Sequence, residues 1–117
     1  VLDFVFAPDQ PPADFPFRGG GLLGLRPSAF YASSSDMVVI NDDLPALMQR
    51  YGSLAVPFGM IFGKGDRVLD YREQGEAMRA KVPSLELTLI DGGHMIPISQ
   101  PDQTATMIRQ VAARVAV

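Results

Sequence analysis

The sequence predicts an α/β fold: two parallel strands with flanking helices in the second half, preceded by a helical segment. Three observations lead there. Short apolar runs bounded by turn residues fall at residues 56–62 and 85–90, each followed by a stretch of helical periodicity, which gives the order β, α, β, α. Prolines and glycines punctuate the first fifty residues instead of alternating polar and apolar positions. The 117 residues are 47% hydrophobic with a formal charge of −3, a balance that fits a globular domain or a large piece of one and excludes a disordered or fibrous chain.

Taken in order, Pro8, Pro11, Pro12 and Pro16, then Gly19, Gly20, Gly21 and Gly24, break regular structure ahead of Pro27. Pro27 suits the first turn of a helix, and two short helices are expected, at about 27–38 and 42–51, with Asn41 or Asp42 capping the second. Five of the seven phenylalanines (Phe4, Phe6, Phe15, Phe17, Phe30) lie in the first thirty residues. The run "VPFGMIF" at 56–62 reads as a strand buried on both faces, although Pro57 and Gly59 are poor strand formers. After the loop "GKGDRVLD", Asp70 with Glu73 resembles a capping box, and Tyr71, Gln74, Met78 and Val82 mark one face of a helix that ends before Pro83. "LELTLI" at 85–90 is the second strand. The stretch "DGGHMIPISQPD" leads to Pro101, which starts a last helix whose expected apolar face is Ala105, Ile108, Ala112 and Val115.

A strand, crossover helix and strand in one sheet run parallel, so both strands end at the same edge. Asp66 lies four residues past Phe62, and His94, the single histidine, lies four past Ile90. At an interstrand spacing of about 4.8 Å a carboxylate and an imidazole in those two loops can meet, at the edge where open parallel sheets bind ligands. Such a pair has a chemical use. A neutral imidazole exchanges a proton near neutral pH, and a carboxylate on its Nδ1 hydrogen fixes the tautomer and leaves Nε2 free to act as a base. A bland alternative stands beside this reading: His94 could cap a helix or bond a backbone carbonyl, while Asp66 could be an exposed turn residue paired with Arg67 or Arg72.

"VPFGMIFGKGDRVLD", then "VPSLELTLIDGGHMIPISQPD" and the final amphipathic helix, together resemble the carboxyl-terminal portion of the α/β-hydrolase fold family. The resemblance covers residues 54–117 as the closing β-α-β-α of the core. It implies Asp66 as the triad acid and His94 as the triad histidine, in the family's chain order of nucleophile, acid, histidine. Residues 1–53, including "FRGGGLLGLRPSAFYASSSDM", resemble part of a helical cap or lid that shapes a substrate pocket. The implied activity is esterase-like hydrolysis of a small, apolar ester or related carbonyl substrate, without a cofactor. Alternatives are an aspartate-nucleophile member of the fold (epoxide hydrolase or dehalogenase) and a non-catalytic binding protein of the same fold. The clustered phenylalanines would suit an apolar pocket, but a small aromatic core is the favoured reading, since clustered aromatics usually pack against each other. Tyr31 could donate a hydrogen bond into that pocket or simply pack at the surface.

None of the serines (28, 33, 34, 35, 53, 84, 99) sits in the G-x-S-x-G elbow that the family uses for its nucleophile, and the three consecutive serines at 33–35 read as helix. The chain opens on Val1 and Leu2 without a signal-like segment, so it is expected to start within a longer protein. Further strands from the same protein or another chain should complete the sheet. As a segment, it is expected to be inactive alone. No apolar run reaches the ~18 residues needed for a membrane span. Ten Lys and Arg against thirteen Asp and Glu leave no footprint for nucleic acid. With no cysteine and one histidine, no thiolate or histidine-rich metal site is expected, and a cytoplasmic setting is consistent with the lack of cysteine.

Overall fold

The computed structural model describes residues 1–115. In chain order the elements are α1 (Leu2–Phe6), α2 (Phe15–Arg18), a 3-10 turn (Gly21–Leu25), α3 (Pro27–Met48), a second 3-10 turn (Tyr51–Ser53) and β1 (Phe58–Gly63). A widened helical turn (Arg72–Glu76) then leads into α4 (Ala77–Lys81), followed by β2 (Leu85–Ile90), α5 (Ile96–Ser99) and α6 (Pro101–Ala113). The mixture of helix with two parallel strands is that of the α/β class. The chain divides into two compact units, one of residues 12–51 and the other of residues 1–11 with the residues from Gly52 onward. Packing thus groups the first eleven residues with the strands rather than with the helical segment that follows them.

In the strand unit, β1 and β2 pair in parallel with Phe58 opposite Leu85 and Gly63 opposite Ile90. Alternation puts Phe58, Met60, Phe62, Leu85, Leu87 and Leu89 on one face and Gly59, Ile61, Gly63, Glu86, Thr88 and Ile90 on the other. The widened turn lies on the first face, where Gly75 is buried and a Cβ there would lie 3.0 Å from Leu87 and 3.1 Å from Phe62. The second face carries α6, whose Met107 and Val111 fill the space beside Gly59. Arg114 ties the end of α6 to the start of the sheet, with a 2.9 Å ion pair to Glu86 and a 3.2 Å hydrogen bond to the Phe58 carbonyl. The fully buried side chains Phe6 and Val82, with Leu85, Ile90 and Ile96, form the core.

Several expectations shift by a residue or two. The first strand begins at Phe58, since Pro57 has no N–H to donate, and runs on to Gly63, so Asp66 lies three residues past its end. It is half-buried along most of its length rather than fully buried on both faces. On the connecting helix, Tyr71, Met78 and Val82 point inward as expected, but Gln74 is exposed and Gly75 holds the inner position. Asp70 does cap this helix: its Oδ1 accepts the Arg72 N–H at 2.7 Å and the Glu73 N–H at 3.4 Å. The inner face of α6 is Thr104, Ala105, Met107 and Val111; Ile108, Ala112 and Val115 are exposed.

In the unit of residues 12–51, one helix of 22 residues replaces the two expected. No glycine or proline lies between Ser28 and Leu44, so Asn41 and Asp42 stay helical instead of capping a second helix. Pro45 removes one backbone donor without ending the helix. No residue of α3 is buried, and Phe30, Tyr31 and Val38 are largely exposed. Ser35 donates its hydroxyl to the Tyr31 carbonyl at 2.9 Å, the back-bonding usual for a serine within a helix.

Candidate active site at the carboxyl edge of the strands

The two loops leaving the strands are locked to each other by backbone hydrogen bonds. Beyond the last ladder pair, the Lys64 N–H donates to the Ile90 carbonyl at 2.8 Å and the Gly65 N–H to the Gly92 carbonyl at 2.9 Å. These two bonds, from consecutive residues, hold the loops together as the chains leave the regular ladder. This approach is so close that a Cβ on Gly63 would overlap the carbonyl oxygens of both Gly92 and Gly93. Glycine is required there for room. The turn closes when the Asp66 N–H donates to the Gly63 carbonyl at 3.1 Å.

That geometry delivers Asp66 to His94. Asp66 Oδ2 lies 2.9 Å from His94 Nδ1, and the Asp66 side chain is 4% exposed against 31% for His94. Asp66 Oδ1 is occupied by the Val68 N–H at 2.8 Å and the Leu69 N–H at 3.0 Å. Burial pushes the Asp66 carboxyl up, but the Leu69 N–H, the His94 ring and the Val68 N–H outweigh it and hold the group below its ordinary value. Asp66 is then ionised and can only accept, so in the neutral imidazole the hydrogen of His94 sits on Nδ1 and leaves Nε2 bare. The buried acid with a partly exposed imidazole is an arrangement that can take up and return a proton at Nε2.

The alternative partners of Asp66 are engaged elsewhere. Arg72 lies over the Tyr71 ring and 3.9 Å from Asp70, and Arg67 lies over the Phe4 ring. The loop carrying His94 is closed at its far end, where the Gln100 side-chain amide donates to the Asp91 carbonyl and α5 packs Ile96 into the core. A third contact comes from far away in sequence: Asp9 Oδ2 accepts the Gly93 N–H at 3.2 Å. Neither Asp9 nor Gln100 was singled out from sequence. Asp9 sits in a proline-rich run with no periodicity, and Gln100 carries no local signal beyond preceding Pro101.

A separate open cleft of about 310 Å³ lies on the α6 face of the sheet, lined by Ile61, Thr88, Met107 and Gln110 among others. It contains neither Asp66 nor His94. Among the described residues no group of three or more His, Cys, Asp or Glu side chains converges as a metal site, and no helix is long and apolar enough to cross a membrane. Comparisons with protein-family models, with curated proteins and with solved structures returned no match.

Proposed function

We propose that this chain is the carboxyl-terminal portion of an α/β-hydrolase, supplying the acid and the base of a catalytic triad. The observation that carries the reading is the 2.9 Å contact between Asp66 Oδ2 and His94 Nδ1 across the carboxyl ends of two adjacent parallel strands. In this role His94 Nε2 removes the proton from a serine nucleophile as it attacks an ester carbonyl, then returns it to the leaving alcohol. Asp66 keeps the tautomer and stabilises the imidazolium. The nucleophile and the oxyanion donors belong to a segment outside these residues, since no serine here stands in an elbow motif. By the same resemblance, residues 1–53 include part of a helical cap, and the substrate is a small, apolar ester or related carbonyl compound.

The test uses p-nitrophenyl esters of graded acyl length. The 117-residue chain alone is expected to give no turnover, and the full-length protein is expected to hydrolyse them with kcat reduced by about 10³-fold or more in His94→Ala. Full-length His94→Ala with wild-type kcat/KM, or turnover by the chain alone that His94→Ala abolishes, refutes the proposal.

A further inference from the structure

Residues 6–9 form a strap that lies against both of the loops that carry Asp66 and His94. Phe6 is fully buried, which anchors the strap. A Cβ on Gly93 would overlap the Ala7 carbonyl oxygen and lie 2.7 Å from that of Phe6, while one on Gly65 would lie 3.0 Å from the Pro8 ring. The strap therefore touches the acid loop one residue before Asp66 and the histidine loop one residue before His94. Asp9 supplies the polar contact, accepting the part-buried Gly93 N–H at 3.2 Å.

We propose that Asp9 is a positioning residue for His94. Its carboxylate fixes the Gly93 peptide, and that peptide sets the direction in which the imidazole leaves the loop. Asp66 restrains the ring through Nδ1, but a single hydrogen bond leaves rotation about it free. The Gly92–Gly93 pair has few conformational restraints of its own. The Asp9 contact and the strap's backbone remove that freedom, so Nε2 is aimed before any substrate arrives. This role rests on the reading of His94 as a base. What Asp9 contributes is an acceptor oxygen, and an asparagine oxygen serves equally.

Because His94 is the single histidine of the chain, its ring resonances are unambiguous. With ¹⁵N-histidine-labelled chain near neutral pH, the Nδ1–H tautomer and the solvent-exchange rate of that proton are read in wild type, Asp9→Ala, Asp9→Asn and Asp66→Asn. Asp9→Ala is expected to accelerate the exchange about tenfold and mix the tautomers, the effect of losing one hydrogen bond. Asp9→Asn is expected to restore wild-type behaviour, and the amide spectrum of β1 and α4 should not change in either variant. Unchanged Nδ1–H exchange in Asp9→Ala overturns the role of Asp9. Asp66→Asn tests the pair separately: if it leaves the Nδ1–H signal in place, the reading of His94 and Asp66 fails first. A measurement on the unmodified chain needs no variant. The Gly93 amide is expected to exchange at least tenfold more slowly than exposed loop amides, and exchange as fast as theirs also overturns the proposal.

Discussion

Replacing Asp66 by Ala and by Asn separates the two jobs of its carboxylate. Oδ1 holds the acid loop through two backbone N–H groups at 2.8 and 3.0 Å, and Oδ2 holds His94 at 2.9 Å. Alanine removes all three acceptor contacts of a side chain only 4% exposed. Hydrogen bonds to a charged group contribute about 1.5–3 kcal/mol each when their donors stay buried. Here Val68 and Leu69 lie at the surface and His94 is partly exposed, so water recovers much of the loss. A total of about 2–3 kcal/mol is expected for Asp66→Ala. Asparagine keeps one oxygen for the two backbone donors but offers an NH₂ toward the ring, which forces the hydrogen of His94 onto Nε2; about 1 kcal/mol is expected.

The pH dependence adds a sign. Asp66 is depressed below its ordinary value of 3.8, so its contribution is fully present above that value and is lost as the pH falls toward the lower folded value. The gap in stability between wild type and Asp66→Asn should therefore close in acid. The chain has no tryptophan, so urea unfolding is followed by circular dichroism at several pH values. Equal stability of wild type and Asp66→Ala at neutral pH, or a gap that widens on acidification, refutes the reasoning.

Gly63→Ala should destabilise the chain by about 2 kcal/mol or more, because its Cβ meets two backbone carbonyl oxygens that cannot rotate away; a urea midpoint within error of wild type would contradict that packing. Met107→Ala should cost about 1–2 kcal/mol, since Met107 is half-buried beside Gly59, whereas Ile108→Ala, at 59% exposure, should lie within about 0.5 kcal/mol of wild type. The reverse order in thermal unfolding would show that α6 packs on its other face.

The two strands and their order were legible because apolar runs bounded by glycine and proline carry that information locally. The carboxyl-edge meeting of Asp66 with His94 was legible for a geometric reason: parallel strands place equivalent loops side by side, whatever the loops contain. Residues 27–51 misled because Asn41 and Asp42 are good caps wherever a helix starts, yet nothing nearby stops one. The face of α6 misled for a different reason. Ile108 and Ala112 fit the helical period as well as Met107 and Val111 do, and the space beside Gly59 selects between them, while Ala105 keeps its expected inward position.

The position of Asp9 shows what periodicity does not reach. Its partner lies 84 residues away in the chain, and the contact is made by a side chain in a segment without repeating pattern. Three separate stretches meet here: residues 63–66 and 90–92 bond through their backbones, and residues 6–9 pack against both, with the Asp9 carboxyl group accepting from the Gly93 N–H. Glycines at 63 and 93 are what allow that backbone packing, and a β-carbon at either would push one stretch from the next. The Asp66 and His94 contact thus depends in part on residues that have no side chain to offer. Substitutions at those glycines should move the imidazole before they unfold the sheet, because the displaced backbone is that of the loops and the core of Val82, Leu85 and Ile90 stays packed beneath it.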